Sequence, residues 1–378
     1  MSETSTSVPI ALWRRLMSRL FSSHEGKRQY EEVFGYPTGN LDSRDYKEMY
    51  DRMGIANRIV RAYPQATWRE WPKVCDESDT PDDEDSPFQA AFSELCEKFR
   101  IMNYLERADR LSGLGQFSLL FIGTNKSTLD KPLGKEKLKY LVPFAEYSIT
   151  VSEWEKDVTS ERYGQPLIYT LQTGDAQSGN TGVMPAGRSI RVHYSRTIHI
   201  AEFLEQNDVC GTPRLKPLVN YLYDLMKVVG SSAECYWLSA NRGLALLGTE
   251  DSQVGDDQIA DMKKQAEAYA HKLQRTIVGT GLTAQVLGSD VPDPEHNVSV
   301  IIDLIAGSSG IPKRILLGNE AGELGSSQDE GNWAGRVDER RTTFADPMIL
   351  RPFLQKLIDM GELTPQGEWY VDWPKASS

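Results

Sequence analysis

The chain has 378 residues, 39% of them hydrophobic, so it can bury two or three separate cores and needs neither a disulfide nor a metal for want of size. Its 54 Asp and Glu against 42 Lys and Arg leave a formal charge of −12. That excludes a general nucleic-acid clamp, which grips phosphates with clustered Lys and Arg, but permits a surface past which DNA moves without sticking.

In chain order, Leu12, Leu16 and Leu20 recur at helical spacing with Arg14, Arg15 and Arg19 between them. This is either a solvated helix or a basic amphipathic arm for nucleic acid, membrane or a partner, and the charges break up any signal-peptide core. The run CDESDTPDDEDSP, Cys75 to Pro87, is acidic and reads as a solvated loop. One helix is expected next, with Phe88, Phe92, Leu95, Phe99 and Met102 on its buried stripe. GQFSLLFIGTN then reads as a buried strand. From Leu138 to Phe203 the segments KYLVPFAEYSITV, PLIYTLQTG and RSIRVHYSRTIHIAEF read as strands, with a loop tip at TGDAQSGNTG.

A long helix follows, its apolar stripe at Leu218, Leu222, Leu225 and Val229. LALL, DDQIADMKKQAEAYAHKLQR, TIVG and LTAQVLG predict strand, helix and two short strands, a small α/β insert before a second helix in HNVSVIIDLIAGSSG. Ser327 to Glu330 forms an S-x-x-E capping pattern expected to open a polar helix. Asp346 and Pro347 are expected as N-cap and N1 of another helix, bent at Pro352 and ended by Gly361.

The chemistry is mostly negative. Gly318, Gly322 and Gly325 fit neither the P-loop nor the dinucleotide glycine spacing, and Glu320 and Glu323 would repel a polyanion, so these glycines supply flexibility. Cys75, Cys96, Cys210 and Cys235 form no C-x-x-C pair, so no zinc ribbon or redox dithiol is encoded and reduced thiols are expected. No apolar run approaches the ~20 residues of a membrane helix. His193 and Ser195 form one H-x-S element, whereas a two-histidine phosphoesterase needs a second, and none of His24, His271 and His296 supplies it. No enzyme, cofactor or metal site is expected.

SRTIHIAEF, then CGTPRLKPLVNYLYDLMKVV, the α/β insert, SGIPKRILLGNEAGELGSSQDEGNWAGRVDERR and DPMILRPFLQKLI follow one another in an order that resembles the portal proteins of tailed bacteriophages. The resemblance runs from about Leu111 to Trp373 and is strongest from Gly310 to Trp333. It implies an α+β portal fold: N-terminal arm and β-rich wing over 1–212, stem helix 213–240, clip 241–295, and second stem helix with its link 296–317. A tunnel loop over 318–328 and crown-proximal helices with a C-terminal strand over 329–378 complete it. The tunnel loop would be Gly318, Asn319, Glu320, Ala321, Gly322, Glu323, Leu324, Gly325, Ser326, Ser327 and Gln328, with Lys313 and Arg314 as channel-side basic groups.

The resemblance also implies a homo-oligomeric ring of about twelve subunits (a dodecamer) at one capsid vertex of the virion, assembled in the host cytoplasm. Its partners would be double-stranded DNA in transit, the large terminase subunit, head-completion and tail adaptor proteins, and the major capsid and scaffold proteins, with no membrane. Many family members continue past the strand YVDWP into a larger crown, so a chain stopping at Ser378 implies a small or shortened one. The alternatives are a phosphoesterase built on the H-x-S element and a capsid adaptor that forms no channel.

Overall fold

The computed structural model describes residues 30–77, 86–173, 188–240, 243–248, 256–270, 282–287, 293–318 and 323–376. The basic helix expected around Leu12 to Leu20, most of the acidic loop, the tip TGDAQSGNTG after its first residue and the short strand TIVG lie outside these residues. The chain divides into two compact units, 1–223 with 302–378, and 224–301.

After a helical turn at Tyr30–Val33, the first unit opens with α1 (Ser43–Arg52). There Asp42 accepts from the Asp45 N–H at 3.2 Å and the Asp45 carboxylate accepts from the Asp42 N–H at 2.8 Å, a reciprocal cap on two donors a helix start leaves unpaired. Next come α2 (Gly54–Thr67) and β1 (Lys73–Asp76). Cys75 and Asp76 were read as loop, but their strand pairs antiparallel with β10 (Trp369–Asp372), a partner some 290 residues away that local composition could not reveal.

The single helix expected after Pro87 is two, α3 (Pro87–Phe99) and α4 (Ile101–Ser112). Arg100 between them has φ +52°, a left-handed conformation that ends the first helix while its apolar stripe continues into the second. Phe88, Phe92, Leu95 and Met102 are buried as expected, and Phe99 is partly buried against the same core.

The strands are β2 (Ser118–Thr124), β3 (Leu138–Ala145), β4 (Ile149–Trp154), β5 (Pro166–Thr173), β6 (Arg188–His193) and β7 (Thr197–Ile200). KYLVPFAEYSITV and RSIRVHYSRTIHIAEF were each read as one strand. Each is broken by a 3-10 turn, at Glu146–Ser148 and Tyr194–Arg196, and its halves join different antiparallel sheets, ordered β3-β2-β7 and β4-β5-β6. Strand β2 shows why layers form. Successive side chains point to opposite faces, so Leu120 and Ile122 enter a core with α3 and α4, while Leu119 and Phe121 enter another with Tyr169, Leu171 and Val192 of the second sheet.

A buried ion pair fastens the long β2–β3 connection. Arg196, 1% exposed, grips both carboxylate oxygens of Glu136 at 2.8 Å and donates to the Lys131 carbonyl at 2.8 Å. The Arg196 hydrogen bonds outweigh the opposing effect of burial and, with Thr124, hold the Glu136 carboxyl at about 2. A depressed carboxyl stabilises the fold above its unfolded pKa, near 4.5, and loses that contribution as pH falls toward its folded value. Glu136→Gln is therefore expected to cost about 3 kcal/mol at pH 7 and to flatten the stability profile between about pH 4.5 and 2, read by urea unfolding.

After β7 the chain reaches α5 (Val219–Ala240), which runs into the second unit. That unit holds β8 (Gly243–Gly248), α6 (Asp256–Ala270) and β9 (Leu282–Leu287), the strands pairing antiparallel from Gly243 opposite Leu287 to Gly248 opposite Leu282. Helix α7 (Glu295–Ser309) leads back to the first unit.

The remaining helices are α8 (Lys313–Leu317), α9 (Glu323–Arg340) and α10 (Arg351–Met360). The helix expected to open at Ser327 begins at Glu323, so Ser327 is no cap. Nor does a new helix begin at Asp346–Pro347. A π-helical stretch, Arg341–Leu350, joins α9 to α10 without a break. Its wider turn lets the Arg351 N–H reach the Asp346 carbonyl five residues back and accommodates Pro347, which has no N–H to give. Gly361, at φ +81°, ends the run as expected.

Candidate functional site

The segment singled out by the sequence sits where α7, α8 and α9 succeed one another. Gly310 turns the chain after α7 at φ +69°, a conformation that favours glycine, and a Cβ there would stand 2.8 Å from Arg336 Nη1 and 3.0 Å from Tyr63 Oη, side-chain ends that would have to shift. Its carbonyl accepts from Tyr63 Oη at 3.2 Å and from Arg336 Nη1. Arg58 donates twice to the Ile315 carbonyl, at 3.1 and 3.0 Å, and the Tyr63 and Trp333 rings lie 4.7 Å apart. Helix α2 thus holds both α8 and α9.

Gly318, at φ +69°, ends α8 by donating its N–H to the Arg314 carbonyl. Of the other expected loop residues, Asn319, Glu320, Ala321 and Gly322 lie outside the described residues. From Glu323 through Leu324, Gly325, Ser326, Ser327 and Gln328 the backbone is helical. Helix α9 therefore takes up six of the eleven residues expected as loop. Lys313 does not stand alone, because its Nζ pairs with Asp303 Oδ1 at 2.8 Å, and Arg314 lies beside it on α8.

At the far end of α9 lies a feature not foreseen. Asp109, 0% exposed, accepts from Arg340 at 2.6 and 3.0 Å, from Arg214 at 3.1 Å and from Trp68 Nε1 at 2.8 Å. Glu202 accepts from Arg214 Nε at 2.8 Å and from Arg340 Nε at 2.7 Å. Arg214 reaches the Val60 carbonyl at 2.9 Å, and Arg340 reaches Thr67 Oγ1 at 2.8 Å. Two guanidiniums and two carboxylates make a neutral square that ties α2, α4, the β7–α5 connection and α9 together. Burial pushes the Asp109 carboxyl up, but Arg340 and Arg214 with the hydrogen bonds from Arg340 and Trp68 outweigh it, and the net direction is down.

The H-x-S element is also structural in its contacts. Ser195 Oγ accepts the Leu133 N–H at 2.7 Å and lies 2.8 Å from His193 Nδ1. His199 donates Nε2–H to the Val209 carbonyl at 2.7 Å and accepts a hydrogen bond from the Tyr169 hydroxyl at Nδ1, 3.0 Å away. Burial pushes it down to about 4, partly offset by the bond to Val209, so it is a neutral core histidine. Among the described residues no group of His, Cys, Asp and Glu is placed to hold a metal, and no helix is long and apolar enough to cross a membrane.

A family model described as phage portal protein matches residues 44–377. The chain belongs to the phage portal protein family. Portal proteins are structural rather than enzymatic, which leaves His193 and Ser195 holding loops. The portal fold is shared at low identity with three solved chains. One, from the neck of an empty GTA particle computed with C6 symmetry, has a TM-score of 0.58 and 14% identity over 88% of this chain and 85% of that one. One from the virion of a native gene transfer agent particle has a TM-score of 0.54 and 14% identity over 88% and 84%. A third, from the neck of a native GTA particle computed with C12 symmetry, has a TM-score of 0.51 and 16% identity over 91% and 88%. Among curated proteins, anti-CBASS protein Acb1 of Caulobacter sp. (strain RHG1) is 25% identical over 190 residues, 47% of this portal chain and 27% of that protein. The portal chain therefore spans about a quarter of that relative's length.

Proposed function

We propose that copies of this portal chain close into a ring at one capsid vertex, through which double-stranded DNA is packaged by a terminase and later ejected, with head-completion and tail adaptors docking on the ring. Family membership and the fold shared with neck chains of particles computed with C6 and C12 symmetry support this reading. The observation that carries it is the surface of α5. Met226, Val229, Ala233, Tyr236 and Trp237 recur at steps of three and four, and Trp237 is 70% exposed and Tyr236 54%. On α7, Val300 and Leu304, four apart, are 45% and 46% exposed. Soluble monomers rarely leave such faces open, and a ring of identical neighbours would cover every one of them.

In this arrangement α5 and α7 form the stem and 241–295 the clip. Residues 318–328 face the channel and carry Glu320 and Glu323 without a Lys or Arg, so passing phosphates meet no sticky contact. Lys313 contributes little positive field there because Asp303 neutralises it. The ring is expected to appear as annular particles with an axial hole in negative stain and as one large species in light scattering. A protein that stays monomeric under every condition that keeps it folded would overturn the proposal.

A further inference from the structure

A cavity of about 290 Å³ opens between the connection from β4 to β5, the strand β7 and the start of α10. Arg162 and Lys356 both line it. Lys356 Nζ donates to the Ser195 carbonyl at 2.8 Å, one bond for a group with three N–H donors. The Arg162 guanidinium lies 3.6 Å over the Tyr194 ring and donates to the Pro166 carbonyl at 3.0 Å, while its Nε is buried without a partner.

Neither cation takes part in an ion pair with a described carboxylate. Asp359, one turn along from Lys356, accepts from Gln355 at 2.9 Å, and Asp208 lines the cavity but is exposed and joins neither cation within ion-pair reach. The histidines supply no counter-charge, since an imidazole is either neutral or positive. Burial and then Arg162 depress the Lys356 ammonium to about 8, and the smaller opposing attraction of Asp359 does not offset them. The rest of the lining is largely apolar, including Pro166, Ile198, Val209, Met348 and Pro352.

We propose that this cavity is an oxyanion site, taking a carboxylate or phosphate group between Lys356 and Arg162 and laying a short apolar stem against the proline and aliphatic lining. Two neighbouring cations with no ion-pair partner cost stability, and an entering anion supplies counter-charge and further hydrogen-bond acceptors at once. The site does not depend on ring assembly and adds to the channel reading rather than resting on it.

The full-length chain titrated calorimetrically with inorganic phosphate and, separately, with benzoate is expected to show one saturable site per subunit. Lys356→Met and Arg162→Gln are each expected to weaken that site about tenfold or more, whereas Lys139→Met, on an exposed lysine, leaves it unchanged. Tighter benzoate binding assigns a carboxylate-bearing ligand, tighter phosphate binding a phosphate-bearing one, and both support the site. In case a variant does not fold, the parent carries its own readout. Acetylation of Lys356 by an N-hydroxysuccinimide ester, followed by peptide mass spectrometry, should slow about threefold or more when phosphate saturates. Non-saturable responses shared by the parent and Lys356→Met, or Lys356 acetylation indifferent to both anions, would overturn the inference.

Discussion

Asp109→Ala is expected to be strongly destabilising, costing about 3–5 kcal/mol, against a total that for most proteins is about 5–15 kcal/mol. The alanine would leave Arg214 and Arg340 sharing Glu202 alone, one uncompensated positive charge in a site where Asp109 is 0% exposed and Arg340 is 7% exposed. It would also strip the Trp68 indole N–H of its acceptor. Urea unfolding followed by tryptophan fluorescence should show the midpoint falling with little change in slope. An unfolding free energy within about 0.5 kcal/mol of the parent's would mean that the square is not formed in solution.

The same group fixes a pH dependence whose sign is set by its lowered carboxyl. Its stabilisation is complete above the unfolded value, near 4, and is lost as pH falls through the folded value below it. The parent should therefore lose stability on acidification in a range where Asp109→Ala no longer responds at this site. Because Arg340 is the last residue of α9, the square also anchors the base of the helix that begins beside the proposed channel segment.

Stripes and alternations were legible in the sequence because they are local. The buried positions of α3, the full burial of β2 and the glycine that ends α10 all follow from spacing within one element, whereas of the stripe expected on α5 Leu222 is buried, Leu218 is buried in the 3-10 turn before the helix, and Val229 is 49% exposed. What escaped depends on distant partners. Cys75 and Asp76 pair with Tyr370 and Trp369, and Asp109 meets an arginine 231 residues on, so composition near either end gives no hint. One signal was present: Asp109 lies on the same face of α4 as Leu105, Ala108 and Ser112, and a carboxylate on an apolar stripe demands a buried partner. The π-helical stretch escaped for another reason. Asp-Pro favours a helix start, and only the backbone run through Pro347 shows that the surrounding helix absorbs it.

Trp237→Glu is expected to abolish ring formation while leaving the subunit folded. In the single chain Trp237 is 70% exposed, so losing it removes little intramolecular packing, and far-UV circular dichroism and thermal unfolding should stay near the parent's. At an interface the same residue would be a large anchor, and truncating such an anchor costs about 2–4 kcal/mol, roughly 30- to 1,000-fold in each subunit contact. A glutamate adds the cost of a carboxylate pressed into a closing apolar seam. A ring repeats that penalty at every junction, so a contact loss modest for a dimer is decisive for a closed assembly. Size-exclusion chromatography with light scattering should then show small species where the parent gives large ones. Rings that persist in Trp237→Glu, with the parent assembling normally, would move the subunit interface off this face of α5 and leave the apolar stripe for a different partner to cover.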